Sequence, residues 1–200
     1  MTRNKSDKGD GKNHNYTLLY DFLLKEKKEE NLRVFELGLG TNNVTLPSNM
    51  GASGRPGASL YGWKEYFPNS SIFGADIDKN ILFQSDRIST FYCDQKNPSC
   101  ISKLWEQPEL LLPFDLIIED GLHDFRANKC FLENSIHKLK EGGYYIVEDI
   151  RQRQFSLFEN QVLEWKNKYL DCTFRLVKIP LVFNMFDDNT LLIVHKNTGT

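Results

Sequence analysis

An α/β fold is predicted by three features of the chain. Short apolar runs fit for a sheet interior alternate with amphipathic helical stretches over most of its length. Each polar cluster falls where one of those runs ends, as it does when the carboxyl ends of parallel strands open onto a crevice. The last two apolar runs are joined by a turn-rich link instead of a helix. The prediction is a Rossmann-like, doubly wound, seven-stranded, mostly parallel sheet with an antiparallel C-terminal strand and helices on both faces.

Residues 1–13 are rich in Lys, Asp, Asn and Gly and are expected to form a mobile polar segment unless a ligand or partner orders them. Residues 14–200, with apolar content suited to one core, are expected to form a single domain. From Tyr16 to Glu30, "YTLLYDFLLKEKKEE" spaces apolar residues as a helix. "LRVFELGLG" then reads as a buried strand running into a glycine turn. The strands "SIFGADID" (71–78), "RISTFYCD" (87–94), "FDLIIED" (114–120) and "GYYIVED" (143–149) follow. Helices are predicted at 57–67, where Trp63 packs inward, and from 124 onward to a stop at Gly142-Gly143. A helix in "FSLFENQVLEWKNKYL" and the strands "TFRLVKI" and "TLLIVHK" complete the chain, with Asp187-Asp188-Asn189 suited to a hairpin turn. The Gly-, Pro-, Ser- and Asn-rich loop 41–57 is long for an idle connection and is expected to be functional.

A net charge of −2 from well-mixed residues provides no basic field for nucleic acid. No apolar run reaches the eighteen or so residues of a membrane span, and the polar N-terminus is unlike a signal peptide, so the expected location is cytoplasmic. Cys93, Cys100, Cys130 and Cys172 lack CxxC spacing and are expected to be free thiols.

Gly38 and Gly40 let the backbone turn after the first strand and approach a ligand without a Cβ. Asp76 ends the second strand where a nucleotide-binding sheet places a ribose-binding carboxylate, although an Asp there also suits a helix N-cap. Asp94 and Gln95 end the third, within reach of a purine edge. Asn43 stands where a dinucleotide fingerprint wants its third glycine, which favours a nucleoside ligand lacking a diphosphate.

Two strands end in acidic pairs, Glu119-Asp120 and Glu148-Asp149, and their carboxyl ends are expected side by side. Carboxylates so crowded repel unless protonated or neutralised, and a divalent cation is the economical neutraliser. Oxygen-only ligation favours Mg²⁺, Ca²⁺ or Mn²⁺ over zinc. His123, three residues after Asp120, then lies near the metal with a pKa fit for proton abstraction. The competing reading pairs Glu119 and Glu148 with Lys or Arg and makes His123 a helix cap. His14, His137 and His195 carry less weight.

In this order "ELGLGT", "GADID", "YCDQ", "IIEDGLH" and "YYIVED" resemble class I S-adenosylmethionine-dependent methyltransferases, and more closely the macrocin and mycinamicin O-methyltransferase family. The resemblance spans about residues 6–150, and "SDKGDGKNHNYTLLY" is similar to that family's DKG, His and Tyr pattern. It implies that Asp120, Glu148 and Asp149 bind Mg²⁺, that His123 is the general base, and that Glu36, Gly38, Asp76, Asp94 and Gln95 contact S-adenosylmethionine. The implied substrate is a small molecule, a sugar or sugar-bearing metabolite methylated on a hydroxyl, with homo-oligomerisation left open. The rivals are a nicotinamide-dependent oxidoreductase on the same sheet and a non-catalytic nucleoside-binding module.

Overall fold

A computed structural model describes residues 1–4, 6–9, 14–180 and 187–199, with the backbone alone for Thr2 and Asp7. In chain order the elements are α1 (Tyr16–Leu24), β1 (Arg33–Leu37), α2 (Ala58–Tyr66), β2 (Ser71–Asp76), β3 (Gln84–Ser85), β4 (Ile88–Tyr92), α3 (Pro98–Trp105), β5 (Phe114–Glu119), α4 (Phe125–Glu133), β6 (Leu139–Val147), α5 (Phe155–Lys168), β7 (Cys172–Lys178) and β8 (Thr190–Lys196). They form one eight-stranded sheet in the order β3-β4-β2-β1-β5-β6-β8-β7. Strands β4, β2, β1, β5 and β6 pair in parallel, and β8 runs antiparallel between β6 and β7. Strand order reverses between β1 and β5, which places a crevice at their carboxyl ends.

Period-two alternation divides the core. Phe35 and Leu37 of β1 join Ile117, Tyr145 and the α3–α5 side chains Trp105, Phe131, Phe158 and Trp165 on one face. Val34 joins Leu116, Ile118, Ile146 and the α1–α2 residues Tyr16, Tyr20, Leu60 and Trp63 on the other. Each central strand is thus buried on both sides, which is why it reads as a mostly apolar run without regular polar alternation.

Three expectations are corrected. The sheet has eight strands because β3, two exposed residues antiparallel to β4, is too short to leave a periodic signal. The helix begun at 124 ends at Glu133, and the Gly142-Gly143 pair lies inside β6. The glycines serve a strand irregularity: pairing with β5 shifts register between Phe114 and Leu116, and a Cβ on Gly143 would come within 2.9 Å of the Asp115 carbonyl oxygen. The charged end of the first predicted helix departs from α1 at Leu24 into a 3-10 turn, Lys25–Lys27. Helix α3 was not anticipated, although Asn97-Pro98 supplies both its cap and its first residue.

Of the segment expected to be mobile, residues 5 and 10–13 lie outside the described residues, while Lys8 is buried against the sheet. Residues 181–186, between β7 and β8, also lie outside them. Among the described residues no helix is long and apolar enough to cross a membrane, and all four cysteines are free.

Phe35 is fully buried against the rings of Trp105, Phe114 and Phe131. Replacement by Ala is expected to lower the unfolding free energy by about 3–5 kcal/mol in a urea titration. A loss below about 1 kcal/mol would show that this packing does not hold the sheet to its α3–α5 layer.

Candidate active site

At the switch point a cavity of about 580 Å³ is lined by the glycine turn after β1, the loop 46–50, and the ends of β2, β4, β5 and β6. The turn is left-handed at Gly38, φ +93°, and a Cβ there would lie 2.0 Å from the carbonyl oxygen of Asp120. Glycine is therefore required for β1 and β5 to release their chains side by side. Gly40 lines the same wall, also at positive φ.

Asp76 fixes this turn: one carboxylate oxygen accepts from the Leu39 N–H at 2.8 Å and the other from the Asp78 N–H at 2.8 Å. The capping role falls instead to Asp78, whose side chain accepts from Asn80 N–H. Asp94 and Gln95 both line the cavity. Gln95 is a brace, accepting from Leu122 N–H at 2.8 Å and donating to Glu119 at 2.9 Å. Glu36, expected as a cofactor contact, lies fully buried away from the cavity lining, its oxygens accepting from Ser59 Oγ at 2.6 Å and Trp63 Nε1 at 2.5 Å.

The acidic pairs divide their members. Glu119 turns towards α4, accepting from Gln95 and from Asn128 Nδ2. Glu148 turns to the opposite face, accepting from Tyr20 OH at 2.6 Å and from Lys8 Nζ. Asp120 and Asp149 line the cavity. His123 lies between them, Nδ1 3.1 Å from Asp149 Oδ2 and Nε2 3.5 Å from Asp120 Oδ1. Asp124, not His123, caps α4. His123 and Asp149 both have left-handed backbones, φ 56° and 57°, a conformation that non-glycine residues hold only when their surroundings fix it.

The sequence reading gave no role to the residues that complete this cluster from the N-terminal side. Lys8, only 2% exposed, sends its ammonium to Asp120 Oδ2 at 2.5 Å, to Glu148, and to within 3.4 Å of Glu36. His14 stacks on Tyr16 and places Nδ1 3.6 Å from Asp149, whose Oδ1 also accepts from Tyr16 OH at 2.7 Å. A signal existed: Tyr16 and Tyr20 are four apart, so one helix face presents both hydroxyls. The lysine-pairing alternative thus describes Glu148, while amides satisfy Glu119.

Burial opposes a charge on Lys8, but Asp120, Glu148 and Glu36 outweigh it and hold its pKa well above the ordinary lysine value. Burial, with repulsion from neighbouring carboxylates, still raises the pKa of Asp120 and Glu148 despite the lysine. Burial likewise opposes protonation of His123, but Asp149, with Asp120 adding to it, lifts its pKa to about 9, while Asp149 is held low. Asp120, His123 and Asp149 each offer a ligand atom, all within 4.8 Å of one another, and His14, Asp149 and Asp188 form a second such group. The two carboxylates of this set suit a divalent cation, and one of them, Asp120, is met by the Lys8 ammonium.

The His123 imidazole of metal-free protein is expected to titrate near pH 9 when followed by NMR. Its raised folded pKa contributes stability that is complete below the unfolded value of about 6.5 and lost as pH rises through about 9. A midpoint near 6.5 would show that Asp149 and Asp120 do not hold the proton.

No protein-family model matches the chain. It is 33% identical over 147 residues to the L-olivosyl-oleandolide 3-O-methyltransferase of Streptomyces antibioticus, 74% of this chain and 35% of that protein. It is 31% identical over 140 residues to the demethylmacrocin O-methyltransferase of Streptomyces fradiae, 70% of this chain and 33% of that protein. The chain therefore spans about a third of the length of the curated relatives it matches. In fold it is similar to the MycE methyltransferase of the mycinamycin pathway, solved in complex with Mg and SAH, at a TM-score of 0.73 and 22% identity over 98% of this chain and 53% of that one.

Proposed function

The chain is related in sequence to the sugar O-methyltransferases of macrolide pathways and carries a methyltransferase fold, and on that premise we propose that it is an S-adenosylmethionine- and Mg²⁺-dependent O-methyltransferase. Its acceptor is a hydroxyl of a sugar or sugar-bearing small molecule. The observation that carries this reading is the convergence of one imidazole and two carboxylates on the cavity beside the glycine turn.

S-adenosylmethionine supplies a methyl group that is already electrophilic, so the protein's tasks are alignment and deprotonation. Gly38 and Gly40 present backbone to the cofactor at the end of β1, and Asp76, Asp94 and Gln95 form the wall at the ends of β2 and β4. Asp76 is committed to two backbone N–H groups, so its contribution is to shape the turn as well as to meet a ribose. Glu36 acts from behind, holding Trp63 and Lys8. Asp120, Glu148 and Asp149 are the carboxylates available to the metal, of which Asp120 and Asp149 line the cavity. A divalent cation there would lower the pKa of an acceptor hydroxyl and meet the charge of Asp120 and Asp149, which frees His123 to accept a proton. His123, fixed by its contacts to both carboxylates, is the general base and takes the hydroxyl proton as the methyl group transfers.

The test is methyl transfer from labelled S-adenosylmethionine to a panel of sugar nucleotides and glycosides, with Mg²⁺ and with chelator. Transfer is expected only with the metal. His123→Ala is expected to slow turnover by about 10²- to 10⁴-fold and leave SAH affinity within a few-fold. Near-normal turnover in that variant would remove His123 from the role of base.

A further inference from the structure

We propose that Lys8 is a tethered counter-ion that competes with the divalent cation for Asp120 and Glu148, so that metal entry requires residues 6–9 to withdraw from the site. This rests on the metal-dependent reading above. The ammonium is almost fully buried and touches two of the carboxylates a metal would use. Glu148 Oε1 also accepts from the Tyr20 hydroxyl, and Asp120 Oδ1 lies 3.5 Å from the imidazole of His123. A metal drawing on both Asp120 and Glu148 meets the Lys8 ammonium at each. Lys8 is the charged donor at both carboxylates, and an ammonium at contact distance from a divalent cation in a buried site is strongly repelled.

The construction of the segment suits a removable cation. Residues 7–9 form one short 3-10 turn; Ser6 N–H donates to the Met1 carbonyl and Lys8 N–H to Ser6 Oγ, while Gly9 packs beside Thr17 of α1. The ammonium reaches from this turn to the ends of β5 and β6, whereas Tyr20 and His123 are built into α1 and the chain leaving β5. Ser6 and Lys8 also line the cavity, so withdrawal would remove part of its wall as the metal arrives. Lys8 would then balance the acidic cluster in the metal-free protein and attenuate metal affinity.

The experiment is a calorimetric titration of wild-type protein and Lys8→Met with Mn²⁺, an oxygen-seeking divalent cation, together with amide exchange at residues 6–9 of the wild type with and without saturating Mn²⁺. Competition predicts that Lys8→Met binds Mn²⁺ tenfold or more tightly than wild type, and that the metal accelerates exchange at residues 6–9. Should Lys8→Met fold only when Mn²⁺ is added, the metal has replaced the missing ammonium and the proposal stands. If it does not fold in either condition, exchange in the wild type decides. Equal or weaker binding by Lys8→Met, or exchange unchanged by Mn²⁺, overturns the role of Lys8 and leaves the metal reading intact. No Mn²⁺ binding by either protein overturns both.

Discussion

The site depends on one electrostatic constraint: five carboxylates, Glu36, Glu119, Asp120, Glu148 and Asp149, sit in or at the mouth of the sheet's interior. Isolated buried charge is too costly to survive folding, so each must find donors. Glu36 takes Ser59 and Trp63 from α2; Glu119 takes Gln95 and Asn128; Asp120 and Glu148 share Lys8, Glu148 adding Tyr20; Asp149 takes Tyr16 and His123. These bonds tie α1, α2, α4 and the N-terminal segment to the carboxyl ends of the central strands. The apolar core fixes the layers, and the acids fix which residues of those layers face the cavity.

Strand geometry explains why two Glu-Asp pairs do four different things. In parallel register Glu119 lies beside Val147, so Glu148 is one step out of phase and its side chain leaves the sheet on the other face. Glu119 therefore meets α4 while Glu148 meets α1. The aspartates lie one residue beyond, where the chain has left the ladder, and the left-handed backbone of Asp149 brings its carboxylate to His123. Within each dipeptide the aspartate lines the cavity and the glutamate does not.

Much of this was legible because parallel strands buried on both faces leave largely apolar runs, as in Ile72–Phe73 of β2, Leu116–Ile118 of β5 and Tyr144–Val147 of β6. Their carboxyl ends were legible too, since Gly38 and the acidic pairs are unusual at the end of an apolar run. The Gly142-Gly143 pair misled because glycine marks both helix ends and strand irregularities, and only the partner strand distinguishes them. The DKG, His and Tyr resemblance named the pattern without giving Lys8 and His14 a role, and composition did not mark them as site residues, because a polar segment rich in Lys and Asp reads as a solvated tail. Its lysine is buried only because three carboxylates distant in sequence converge on it, a long-range effect that composition cannot register.

The most direct measurement is calorimetric titration of the purified protein with S-adenosylhomocysteine, with and without Mg²⁺. If the cavity beside Gly38 is a methyl-donor site, the product of that donor binds saturably and one-to-one. A folded protein that takes up no S-adenosylhomocysteine in either condition would contradict the methyltransferase reading and leave the acidic strand ends without a reaction to serve.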